Sequence, residues 1–296
     1  MDAPSRTTPP CRVFIPSNFS ELFTAWNHNP DMKLFAGGTE YIRNQANRIL
    51  SLPPNIISLD KIEELRKISR TERYLVIGAM VKLNQIIELG RIVPEALCLC
   101  LEKIGSPQIR NIATIGGNIC NPSRRLDASA PMIALDAQYE LRSAKTSRWV
   151  QASRFSSLPG PPALAERELL TRIRIPLEPW SFTSYRKFHT PGSTESGGGI
   201  LFIVKNQKNI LTDIRVVYSG KTILREKNCE TKLAGKQLPL SKKNAGEFVE
   251  GWRNYLSAFK GGNEKSIFGG DKESSPEMLK AQIINFIENA LLSISE

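Results

Sequence analysis

Two short stretches of the chain pair adjacent glycines with hydroxyl and amide side chains. Gly37–Gly38 runs into Thr39 in "KLFAGGTEY", and Gly116–Gly117 is flanked by Thr114 and Asn118 in "TIGGN". A glycine pair turns the backbone sharply and leaves its N–H groups bare, which suits an anion such as phosphate. Two such loops facing each other would wrap a pyrophosphate from both sides, with Thr39, Thr114 and Asn118 adding side-chain hydrogen bonds. Asp127, nine residues beyond Asn118, supplies a carboxylate to accept hydrogen bonds from sugar-like hydroxyls. The set suits a dinucleotide carrying a ribityl chain. Either pair taken alone reads first as a tight turn, and on spacing alone that reading stays open.

Other chemistries find little support. "SGKT" at Ser219–Thr222 lacks the upstream glycine of a phosphate loop, because Arg215 stands there, and no G-x-G-x-x-G occurs. The only histidines are His28 and His189, too few for a histidine metal site, and His189 has no Gly-x-Ser-x-Gly partner for a hydrolytic triad. The five cysteines, Cys11, Cys98, Cys100, Cys120 and Cys229, are irregularly spaced without a C-x-x-C and read as reduced thiols, so iron–sulfur chemistry would need another chain. The net charge of +11 is scattered, without a basic run or interleaved aromatics. That favours a solvated surface or an acidic partner protein over nucleic acid. No stretch approaches the roughly 18 apolar residues of a membrane span, and the N-terminus lacks a secretory apolar core, so the expected location is cytoplasmic.

The loops need elements to hold them. "CRVFIP" reads as a strand, and Ser17 or Asn18 caps a helix carrying Phe19, Leu22, Phe23 and Trp26 at helical spacing. "DMKLFAGG" is a strand ending in the first glycine pair, "TEYIRNQANRIL" a helix and "NIISLD" a strand. "LRKISRTERYLVIGAM" predicts two antiparallel strands with a turn near Arg70–Glu72. "LNQIIELG" and "PEALCLCLEKIG" are helical. Beyond the second glycine pair come a helix near Ala128–Leu135 and strands "QYELRS", "SRWVQA" and "ELLTRIRIPLE". "FTSYRKF", "GGILFIVK" and "LTDIRVVYS" are strands. Ser241 caps an amphipathic helix, and a last helix from Ser275–Pro276 carries Leu279, Ile283, Phe286, Ile287 and Leu291 on one face.

"AGGTE", "PQIRNIATIGGNICN" followed by Asp127, and "ELLTRIRIP" resemble the FAD-binding subunits of molybdenum hydroxylases. That family includes the flavin subunits of xanthine dehydrogenase, carbon monoxide dehydrogenase and nicotinate dehydrogenase. The resemblance runs from about Arg12 to Leu292 and is greatest to xanthine dehydrogenase subunits of the separate-chain, bacterial kind. It implies an α+β, vanillyl-alcohol-oxidase-like (PCMH-type) FAD-binding fold. Residues 1–60 would form an N-terminal α/β subdomain and 61–178 a second, α+β one. Residues 179–296 would form a C-terminal domain with a three-stranded antiparallel sheet and helices.

By position, the resemblance puts Leu34, Phe35, Ala36, Gly37, Gly38, Thr39, Glu40 and Tyr41 on the first pyrophosphate loop. Thr114, Ile115, Gly116, Gly117 and Asn118 form the second. Asp127 would bond ribityl or ribose hydroxyls, Leu170 would lie near the flavin ring, Arg186 near the flavin edge, and Ile104 holds a position that is aromatic in some relatives. Two departures stand out. Pro191 stands at the position of an Arg and Glu195 close to that of an acidic residue beside the flavin, and Arg124 and Arg125 stand where small residues are common.

The implied role is electron transfer. A molybdopterin-binding large subunit would hydroxylate substrate, [2Fe–2S] clusters on a small subunit would relay electrons to FAD on this chain, and FAD would reduce NAD+ or another acceptor. This chain would supply no catalytic acid, base or nucleophile and no metal ligand. The alternatives are a flavin-free structural or assembly subunit and a stand-alone flavin oxidase.

Overall fold

The computed structural model describes residues 11–45, 51–121, 127–156, 162–189, 196–259 and 276–295. Strands β1 (Arg12–Phe14), β2 (Lys33–Phe35) and β3 (Asn55–Ser58) form a small parallel sheet in the order β1–β3–β2. Parallel neighbours require crossovers, which α1 (Phe19–His28) and α2 (Thr39–Arg43) begin. α1 starts where Asn18 accepts from the Glu21 N–H at 2.9 Å while Glu21 accepts from the Ser17 N–H at 2.8 Å. It buries Phe19, Leu22 and Phe23. The helix expected over 39–50 is short: after Arg43, Asn44 and Gln45 turn, and the Gln45 amide exchanges two hydrogen bonds with the backbone of Ser51. Residues 46–50 lie outside the described residues.

The second sheet is antiparallel throughout. β4 (Ile68–Arg70), β5 (Tyr74–Gly78), β6 (Gln138–Arg142), β7 (Ser147–Gln151) and β8 (Leu169–Pro176) lie in the order β4–β5–β8–β6–β7. Alternation sends Leu75, Ile77, Tyr139, Leu141, Ile173 and Ile175 into the core, all fully buried. The other face carries polar partners: Arg172 forks onto Glu140, and the Arg174 guanidinium lies 4.2 Å from the centroid of the Trp149 ring. The connections between β5 and β8 carry α3 (Leu83–Glu88), α4 (Glu95–Glu102), α5 (Pro107–Arg110), α6 (Ile115–Ile119), α7 (Ser129–Ala134) and α8 (Ala152–Phe155).

The C-terminal sheet pairs β9 (Phe182–His189), β10 (Ser196–Gln207) and β11 (Ile210–Ser219), and a two-residue β12 (Ile223–Leu224) adds a fourth strand to the three expected. Lys208 and Asn209 join β10 to β11 with φ of 50° and 60°, the paired left-handed geometry of a two-residue hairpin. Both faces of this sheet are covered. Leu201, Ile203 and Val217 join the core of the first two sheets. Ile200, Phe202, Val204 and Val216 pack instead with Trp252, Ile283 and Ile287. Those last residues come from α10 (Lys242–Ser257), capped by Ser241, and α11 (Pro276–Ser293); α9 (Lys227–Leu233) precedes them. Leu279, Ile283, Phe286, Ile287 and Leu291 are buried along α11 as their spacing predicts.

Burial alone would push Glu140 up, but hydrogen bonds from Arg172, Thr171 and Ser147, with the Arg172 charge, hold its carboxyl below the ordinary value. Such a group stabilises the fold above its unfolded pKa and stops doing so as pH falls through the lower folded value. Wild type should therefore be more stable than Glu140→Gln at neutral pH, the two converging as pH drops below about 4. Denaturant unfolding across a pH series measures the gap.

Candidate functional site

The first glycine pair ends β2 and starts α2. Gly38 sits at the N-cap in the left-handed region, φ 69°, and no side chain caps the helix. A Cβ there would strike the Phe35 ring, and a Cβ on Gly37 would press into the carbonyl of Ile112. Only glycine lets β2 lie this close to the segment leading into the second loop. The N–H groups of Gly37, Gly38 and Thr39 donate to no group among the described residues. Leu34 through Tyr41 are all partly exposed, and the rings of Phe35 and Tyr41 sit 6.0 Å apart.

The second pair is built differently. Thr114 caps α6 by accepting from the Gly117 N–H at 3.1 Å. The N–H of Ile115 donates to Val81 O at 3.0 Å and that of Gly116 to Ala79 O at 2.9 Å. The bare donors expected at Gly116–Gly117 are thus committed within the chain. Gly116 is needed for packing, since its Cβ would stand 2.7 Å from Ala79 Cβ and O. Gly117 is exposed, and the one atom a Cβ there would approach is Thr114 Oγ1, at 2.9 Å. The second loop therefore offers a smooth face, and the first offers donors. Asn118 is buried, its Oδ1 accepting from the Ala128 N–H at 3.3 Å.

Asp127 is 7% exposed and held by two side chains of β9. Tyr185 donates its hydroxyl to Oδ1 at 2.9 Å, and Lys187 donates to Oδ2 at 3.0 Å and to Lys103 O at 3.1 Å. Burial pushes the Tyr185 hydroxyl well above its ordinary pKa, with Cys100 and Asp127 adding to it. Burial and Asp127 do the same to the Cys100 thiol. Arg186, the basic residue singled out by resemblance, is exposed on the opposite face of the strand. Lys187 is the cation brought to Asp127, and the i, i+2 spacing of Tyr185 and Lys187 is the signal that could have found it. Ile104 and Leu170 are buried, 8% and 2% exposed, in the main core. Arg124, Arg125, Pro191 and Glu195 lie outside the described residues. Among the described residues no group of three His, Cys, Asp or Glu side chains could hold a metal ion.

The two glycine loops, one with amides uncommitted among the described residues and one with a bare face, adjoin where Gly37 meets Ile112. Residues 9–178 match the family described as the FAD binding domain in molybdopterin dehydrogenase. The chain belongs to that family, and FAD is its cofactor.

The chain is 36% identical over 155 residues to the xanthine dehydrogenase FAD-binding subunit of Escherichia coli O157:H7, covering 51% of this chain and 52% of that one. It is 30% identical over 212 residues to the carbon monoxide dehydrogenase medium chain of Hydrogenophaga pseudoflava, covering 70% and 73%. The match thus spans about half the length of the Escherichia coli relative and nearly three quarters of the other. Among solved structures, a carbon monoxide dehydrogenase from Hydrogenophaga pseudoflava lacking the Mo-pyranopterin moiety superimposes with a TM-score of 0.80 at 25% identity, covering 97% of this chain and 98% of that chain.

Lys187→Met would leave Asp127 buried without its cation. The expected cost is about 3–5 kcal/mol of stability, read from urea unfolding, with Lys187→Arg retaining part of it.

Proposed function

We propose that the chain is the FAD-carrying electron-transfer subunit of a molybdenum hydroxylase, xanthine dehydrogenase-like. It would work with a molybdopterin-binding large subunit and a [2Fe–2S] small subunit, with NAD+ or another acceptor as the final electron sink. The observation that carries the reading is the row of N–H groups at Gly37–Thr39, uncommitted among the described residues, in a loop that rests on the Ile112 backbone leading into the second glycine loop. The xanthine preference rests on the similarity to the Escherichia coli subunit.

When bound, FAD would supply the redox chemistry, accepting electrons and passing them on. The chain's own residues bind and orient. The amides of Gly37, Gly38 and Thr39 are placed to receive the cofactor's diphosphate, and Thr39 adds a hydroxyl. Gly117 leaves room for the cofactor to pass. Asp127, Tyr185 and Lys187 tie β9 to the module that carries both loops, fixing the C-terminal sheet as one wall beside the cofactor. Tyr185 and Cys100 keep their protons, so the wall is a fixed hydrogen-bonded surface rather than a source of acid or base.

The test is reconstitution. The purified chain given FAD should acquire visible flavin absorption, and a chain that stays colourless defeats the reading. Gly117→Val should fold yet retain under about a tenth of wild-type flavin, because a branched side chain then occupies the bare face; full flavin content in that variant would place the cofactor elsewhere.

A further inference from the structure

One cation lies where the two glycine loops meet. Lys82 follows β5, and its backbone bridges to Thr114 at the start of the second loop. Its Nζ donates to Ile112 O at 3.2 Å. That is the carbonyl against which Gly37 packs for want of a side chain. The ammonium and the first glycine loop therefore share one oxygen. They do so at the carboxyl end of β2 and β3, the edge where open sheets of this kind take ligands.

The surroundings leave the charge unanswered. Lys82 forms no ion pair with any carboxylate of the described residues. The charges that act on it are Arg66 and Asp60, which pair with each other. Burial lowers the ammonium's pKa, Arg66 pushes the same way, and Asp60 opposes them. A half-buried ammonium on the carbonyl that Gly37 rests against favours an anion as its partner. One of its three N–H donors goes to Ile112, leaving two.

We propose that Lys82 is a further cofactor-binding residue, its ammonium pairing with the FAD diphosphate beside the Gly37–Gly38 loop. The proposal rests on the FAD reading above and adds a residue that neither glycine loop contains. Lys82 also braces the loops, and the alternative is that its bond to Ile112 is all it does.

FAD titration of the apo-chain by flavin fluorescence, at low and high salt, separates these. Lys82→Gln keeps a donor for Ile112 O and loses the charge. It should bind FAD about tenfold more weakly than wild type at low salt. The gap should close to within about twofold near 0.5 M salt, where exposed charges are screened. Lys82→Arg should restore most of the affinity, and the apo-chain melting temperature should be the same in all three. Equal affinity of Lys82→Gln and wild type at low salt would overturn the proposal and leave FAD binding intact. So would a loss that is independent of salt and accompanied by a lower melting temperature, since that marks a structural brace alone. A wild-type chain that takes up no FAD at all removes the cofactor reading itself.

Discussion

The backbone of Gly37 rests on the carbonyl of Ile112, and the site depends on that approach. A single methyl group at residue 37 would collide with the backbone of Ile112 and Ala113. Because it is absent, the end of a parallel sheet and the entry to α6 become one surface. The contact also explains why the loops differ. The second is anchored by its own amides, Ile115 and Gly116 donating to Val81 and Ala79 at the end of β5. Those donors hold the loop in place and are not available to a ligand. The first loop is positioned from outside, by the close approach itself, and so keeps its amides.

A second constraint acts from the C-terminal side. Strands β10 and β11 pack against a core on each face, so the register of the sheet must be fixed with some precision. Hydrophobic packing sets which face each residue takes but is tolerant of sliding. The Asp127 carboxylate is less tolerant, because it is buried and needs donors at hydrogen-bond distance. Tyr185 and Lys187 meet that need together. A one-residue slip of β9 would offer Ser184 and Arg186 in their place, on side chains of different reach and charge. The ion pair thus acts as a register mark between the cofactor module and the sheet that covers it.

Much of this was legible in the sequence wherever the signal was local. The Asn18 and Ser241 caps, the apolar stripe of α11 and the alternation of β11 each depend on neighbours within a few residues. What the sequence hid was set by partners far along the chain. Gly116 reads as a phosphate-loop glycine until Ala79 is found behind it, and Lys187 is indistinguishable from Arg186 until β10 fixes which face looks inward. Lys82 carries no motif at all, since its setting is made by Ile112 and Thr114, some thirty residues away. β12, two residues long, is too short to show any period.

The charges at the site have a pattern that bears on its role. The ammonium of Lys187 and the carboxylate of Asp127 answer each other, and Tyr185 and Cys100 are held neutral by burial. The phenol and the thiol therefore carry no charge near neutral pH. A subunit that holds an electron carrier needs this constancy, because a titrating neighbour would shift the carrier's potential with pH. At the loops, by contrast, the field is positive: free amide dipoles and Lys82 face one edge of the parallel sheet, on a chain whose net charge is +11. A wall whose charges cancel within the chain and a loop whose amides and ammonium do not are thus two different environments. Each follows from residues that answer either a neighbour within the chain or the anion that the fold is shaped to receive.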